Sequence, residues 1–262
     1  MTLSRPSAYQ RPAALAMSLG GVALVALLAG GSAQAAGKFV VPKGCTAYVT
    51  VQYADCQVST HYTCPADPKG DQWAVYADKN GPNYMSRIDA ETRWVESYDL
   101  TTGIGEKIGS EAQAASFSDL LRKGRDDYDF ATKSSNGDQR RYAGYDKLTG
   151  KTVTIDGVRL DRTEFLLSTY AEDGSLINTR KGGQLISRDW RIFFPDTESF
   201  ENADGQKGTS VDTPISFARP GKPGFLAAEP IFGCDQRMTD ASPPAAALPV
   251  RYAGPQETDP AR

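Results

Sequence analysis

The chain has 262 residues, a formal charge of −3, 40% hydrophobic residues, four cysteines and one histidine. A mildly acidic chain with no basic block does not suit a phosphate backbone, so nucleic acid is not an expected partner. A single histidine leaves no zinc-type ligand spacing, and no cofactor signature replaces it.

Arg5 and Arg11 precede an uncharged run from Ala13 to Gly31 that ends in Ser32-Ala33-Gln34-Ala35-Ala36. Basic, apolar and small-residue regions in that order make a secretory signal, with residues 1–35 removed after Ala35. An uncleaved anchor is the alternative, disfavoured by Gly20, Gly21, Gly30 and Gly31 and by the lack of a basic flank. Losing Arg5 and Arg11 takes the charge to −5 and leaves 227 residues, enough for one substantial core. The product is expected in the periplasm or outside the cell, with no later membrane-spanning run and with its cysteines oxidised.

The mature chain divides into a β-rich domain, 36–235, and a Pro/Ala-rich tail, 236–262, that holds too many prolines for regular structure. Alternating runs separated by turn residues place strands at 46–53, 56–63, 72–77, 84–89, 93–100, 139–146, 151–155, 158–170, 176–181, 184–194 and 211–217. Lys79-Asn80-Gly81-Pro82, Asn136-Gly137, Asp156-Gly157, Asp173-Gly174 and Asp204-Gly205 supply tight connections. So many sequential strands predict an all-β antiparallel meander that curls into a barrel or half-barrel. One short helix is expected from Ser116 to Lys123, with Ser116 as cap, Asp119 completing a capping box and Gly124 ending it.

Cys45, Cys56, Cys64 and Cys234 allow three complete pairings. If Tyr53 faces Cys56 across a turn at Ala54-Asp55, then Val51 opposes Val58, Val49 opposes Thr60, Ala47 opposes Tyr62 and Cys45 opposes Cys64. Opposed residues lie within disulfide range, so the expected pairs are Cys45–Cys64 and Cys56–Cys234. A longer loop would shift the register and favour Cys45–Cys234.

Catalytic signatures are sparse. There is no Gly-x-Ser-x-Gly elbow, no Ser-x-x-Lys pair and no phosphate loop. His61 is read as a solvated strand residue. Asp126, Asp127 and Asp129 after the helix, and Asp89, Glu91, Glu96 and Asp99 around a hairpin, could hide a carboxylate pair for hydrolysis. The expected role of these acids is a solvated rim beside Arg87, Arg93 and Arg125.

Aromatic stripes remain. Trp94 and Tyr98 share one strand face, Trp190, Ile192 and Phe194 another, and Phe165 and Leu167 a third. In a curled sheet Trp94, Tyr98, Phe165, Trp190, Ile192 and Phe194 are expected to line the concave side, with the helix against the opening. The expected function is an exported binding or carrier protein for an apolar small molecule or lipid. In architecture alone this resembles the half-barrel carriers that shuttle lipid-modified proteins across the bacterial periplasm; no motif of theirs is present, so no residue role transfers. The alternatives are a secreted hydrolase using a carboxylate pair and an envelope protein that binds another protein.

Overall fold

Strand after strand pairs with its predecessor in one antiparallel sheet: β1 (Thr46–Tyr53), β2 (Val58–Thr63), β3 (Gln72–Asp78), β4 (Gly81–Ile88), β5 (Trp94–Asp99), β6 (Gly105–Gln113), β7 (Arg125–Ser134), β8 (Gln139–Ile155), β9 (Val158–Ala171), β10 (Leu176–Ser187), β11 (Ile192–Asn202) and β12 (Lys207–Val211). β13 (Pro214–Ala218) breaks the sequence by returning to β1, and α1 (Phe117–Lys123) sits between β6 and β7. The computed structural model describes residues 38–235. The signal segment 1–35 and the tail 236–262 read from the sequence lie outside the described residues.

The sheet is rolled onto itself. Val49, Val51 and Tyr53 of β1 pack with Leu160 of β9, Leu185 of β10 and Phe194 of β11, strands far away in sheet order. Inward-facing glycines permit the tight bending. A Cβ on Gly144 would stand 2.0 Å from Leu166 O, and one on Gly182 would stand 1.9 Å from Thr197 O. The roll stops short of a barrel, because β12 and β13 at its two edges do not pair. Only Asp212 and Thr213 separate them in the chain, with Asp212 N–H donating to Asp196 O and Ala54 N–H donating to Thr213 O. The all-β meander with one short helix is therefore the fold, and full closure is not reached.

Behind β1 runs a strap, residues 219–235. Leu226 N–H donates to Thr50 Oγ1 at 2.9 Å, and the Gln52 side chain bonds Glu229 O and Ile231 N–H, both at 3.0 Å. Disulfides join Cys56 to Cys234 and Cys45 to Cys64. Gly233 adopts φ 69°, and a Cβ there would lie 1.8 Å from Ala54 O. Gly233→Ala is therefore expected to loosen the strap. The left-handed backbone alone costs an alanine about 1–2 kcal/mol, and limited proteolysis should show new cleavage between 219 and 235.

Several expectations are corrected. Ala47 opposes Tyr62 as expected, but a bulge at Tyr48 moves the rest of the hairpin by one residue, so that Val51 opposes Ser59 and Thr50 opposes Thr60. The runs 139–146 and 151–155 form one strand, bulged between Leu148 and Thr152 around Gly150 at φ 75°. The run 184–194 is two strands and their turn, with Arg191 in a left-handed conformation at φ 53°. No turn glycine announced that break. β6, β7 and β12 went unread because glycines in β6 and β12 and charges in β7 mask the alternation.

His61 is buried, not solvated: it is 3% exposed, within ring-contact range of Tyr48, Tyr76 and Phe194. Both faces of β2 are covered, the inner by Phe194 and the outer by Phe39 against Tyr62. Burial pushes its pKa down to about 3. Ser59 Oγ bridges His61 Nε2 at 2.8 Å and the Tyr53 hydroxyl at 2.9 Å, so the neutral ring is hydrogen-bonded in place.

Candidate functional site: an interior cavity with two facing carboxylates

The rolled sheet fills only part of its interior. β1 and β13 press on β9, β10 and β11 to give a packed core, whereas β4 to β8 border a half-open cavity of about 580 Å³ together with the neighbouring inner faces. Ile88, Trp94, Phe130, Phe165 and Leu167 give it apolar walls. Phe117 and Leu120 of α1 also line it.

Of the residues expected on the concave side, Trp94, Phe165, Ile192 and Phe194 line the cavity. Tyr98 and Trp190 do not. A bulge between Trp94 and Glu96 breaks the alternation of β5, so Trp94 stays opposite Ile88 while Tyr98 falls opposite Met85, on the other face. There its hydroxyl donates to Glu96 Oε2 at 2.6 Å. Trp190 belongs to the β10–β11 turn and packs on Tyr48, Phe194 and Phe217.

α1 starts as expected, with Ser116 Oγ accepting from Asp119 N–H at 3.2 Å, and ends at Gly124 with φ 79°. The reciprocal half of the capping box is absent. Asp119 turns instead to Arg122 and Lys123, and Ser116 N–H donates to Asp126 Oδ2 at 2.8 Å. Glu91, from the β4–β5 turn, anchors the same end: it accepts from Ser116 Oγ, Ser118 N–H, Ser118 Oγ and Arg191 Nη2 at 2.7–3.0 Å. Burial works to raise its pKa, but these donors outweigh it and hold the carboxylate below its ordinary range. Arg191 also donates to Ala90 O at 2.8 Å and covers the Phe117 ring, which explains why its left-handed backbone is tolerated. The helix is thus pinned to the β4–β5 and β10–β11 turns.

The acids divide by strand face. Asp127 and Asp129 point outward into ion pairs with Arg125 and Arg141, as a solvated rim should. Asp126 does not belong to that rim. It is 8% exposed, lines the cavity and stands directly opposite Asp146 in the β7–β8 ladder. Like charges so placed repel at close range. Burial, then the charges of Asp119 and Asp127, push Asp126 up to about 6. Burial, then Asp126, push Asp146 up to about 7. Tyr128, on the same face, has its pKa raised by burial and by both aspartates.

Among the described residues, three buried oxygens that line the cavity lack a hydrogen-bond partner: Asp146 Oδ1, Glu111 Oε1 and Gln184 Oε1. All three accept, the aspartate once it is ionised. The nearby cations are committed elsewhere, Arg93 to Asp89 and Glu111, and Arg180 to Glu198 through a two-point fork at 2.7 and 2.5 Å. Asp146 was missed in the sequence because the eye stops at Asp126, Asp127 and Asp129. Its signal was its alternation with Gly144 and Tyr142 on one face of β8. Among the described residues no group of three ligating side chains could hold a metal ion.

No protein-family model and no curated protein matches the chain. Among solved structures it is similar to a candidate exported protein of Bacteroides fragilis with a YmcC-like fold, at 8% identity and a TM-score of 0.39, covering 70% of this chain and 100% of that one. No residue role or ligand is taken from it.

Proposed function

We propose that this is an exported carrier or binding protein whose interior cavity holds an apolar guest. The cavity carries the reading: about 580 Å³ falls within the roughly 300–1,000 Å³ of small-molecule sites, and its apolar walls with a few convergent polar groups are their usual composition. Both disulfides fit an oxidising compartment. A guest of even modest apolar area gains several kcal/mol by burial at about 25 cal/mol per Å².

The test is titration with a neutral hydrophobic dye, alongside solvent extraction of the purified protein. One saturable site is expected, and Leu167→Trp, which fills the cavity from β9, should weaken dye binding about tenfold or more with little change in melting temperature. Absence of a saturable site in the unaltered protein, or undiminished binding in the filled variant, overturns the reading.

The facing aspartates favour a second reading, a hydrolase, since a carboxyl still protonated near neutral pH can serve as a general acid. Turnover of chromogenic glycosides or esters that disappears in Asp146→Asn would replace the carrier with an enzyme.

A further inference from the structure

We propose that the guest is an amphiphile with a protonated amine, its ammonium seated between Asp126 and Asp146 and its hydrocarbon body against Trp94, Phe165 and Leu167. This rests on the carrier reading and specifies its ligand. Three separate features of the cavity point the same way.

Charge is the first. At the cavity Arg93, Glu111, Arg180, Asp196 and Glu198 are ion-paired and Asp212 accepts from Ser210 Oγ, whereas Asp126 and Asp146 face each other with no cation between them among the described residues. Asp126 has one donor, Ser116 N–H, and Lys123 reaches it only from α1, where it pairs with Asp119. Asp146 is half-buried with its Oδ1 sealed from solvent, and no donor reaches it among the described residues. Hydrogen bonding is the second. Gln184 Oε1 only accepts, as do the ionised carboxylates of Asp126 and Asp146, and an ammonium brings three donors and no acceptor. The apolar walls are the third, because a bare inorganic cation would leave them empty. An anionic headgroup is opposed by both carboxylates, and a neutral alcohol supplies one donor and no charge.

The groups facing the pair are few. Asp119 and Lys123 come from α1, Asp127 and Tyr128 from β7, and Arg180 reaches Tyr128 from β10 while held by Glu198 of β11. Seating the ammonium favours the ionised aspartates, so binding should release protons near neutral pH.

The experiment uses three probes with one chain length, dodecylamine, dodecanol and dodecanoate, below their aggregation thresholds, against protein with both disulfides formed. At pH 8 dodecylamine should bind about 10- to 100-fold more tightly than dodecanol, as a charge-assisted hydrogen bond allows, with dodecanoate weakest. At pH 5 the amine's advantage should collapse. Asp146→Asn should abolish the amine's advantage over dodecanol, and Asp126→Asn provides an independent check should that variant fail to fold. Equal binding of amine and alcohol at pH 8, or preference for dodecanoate, overturns this inference and leaves the carrier standing. Binding of none of the three overturns both.

Discussion

Replacing Cys56 and Cys234 together by serine is expected to remove about 5 kcal/mol of stability. The bridge closes 178 residues, and in the chain-entropy model the loss grows with the logarithm of loop size. The same model assigns about 3 kcal/mol to Cys45–Cys64, which spans 19 residues. The larger loss has a structural counterpart. Cys56 and Cys234 fix the strap behind β1, beside the edge where β13 attaches, so the reduced chain should expose the strap before the sheet melts. Urea denaturation of the two double-serine variants, followed by tryptophan fluorescence, measures the difference. Equal losses, or a larger loss for Cys45–Cys64, would show that the strap contributes little to holding the roll.

Asp146→Asn is expected to stabilise the protein at neutral pH and to be without effect in acid. The folded-state pKa of about 7 stands above the ordinary 3.8, so between those values the unfolded chain releases a proton that the folded one keeps. Stability is therefore full below about pH 4 and falls as pH rises towards 7. Each tenfold change in proton affinity is worth about 1.4 kcal/mol, so the variant should gain on the order of 4 kcal/mol at pH 8 over the parent. Asp126, at about 6, contributes in the same direction. His61 acts oppositely: with a folded pKa of about 3 against 6.5, it contributes stability above pH 6.5 that is lost as pH falls. His61 opposes the two aspartates between pH 4 and 6.5, so only the difference between parent and variant isolates Asp146. Urea midpoints at pH 4, 6 and 8 read it, and a pH-independent difference would refute the buried-pair account.

The meander, the helix with its Ser116 and Gly124 ends, and most strands from β1 to β5 were legible because turns and alternation coincide there. β6 and β12 were not, since Gly105–Gln113 and Lys207–Val211 carry little apolar signal and are held by pairing with neighbours. Bulges account for the misplaced faces. At Tyr48 and near Trp94 one extra residue inverts the alternation on which face assignments depend. The cavity itself was beyond periodicity, because a half-filled interior and a full one use the same residues. Asp126 and Asp146 became a pair only through the β7–β8 register, which no short-range pattern specifies.

Asp126 holds the helix and lines the cavity with one side chain. Oδ2 already accepts the amide that begins α1. Any proton or ligand that competes for that oxygen weakens the first turn, and reciprocity requires that loosening the turn change the affinity for the competitor by the same factor. The contents of the interior are thereby coupled to Glu91 and Arg191, which grip the same turn from the β4–β5 and β10–β11 connections. Occupancy inside the roll can thus be read as helix order at its end.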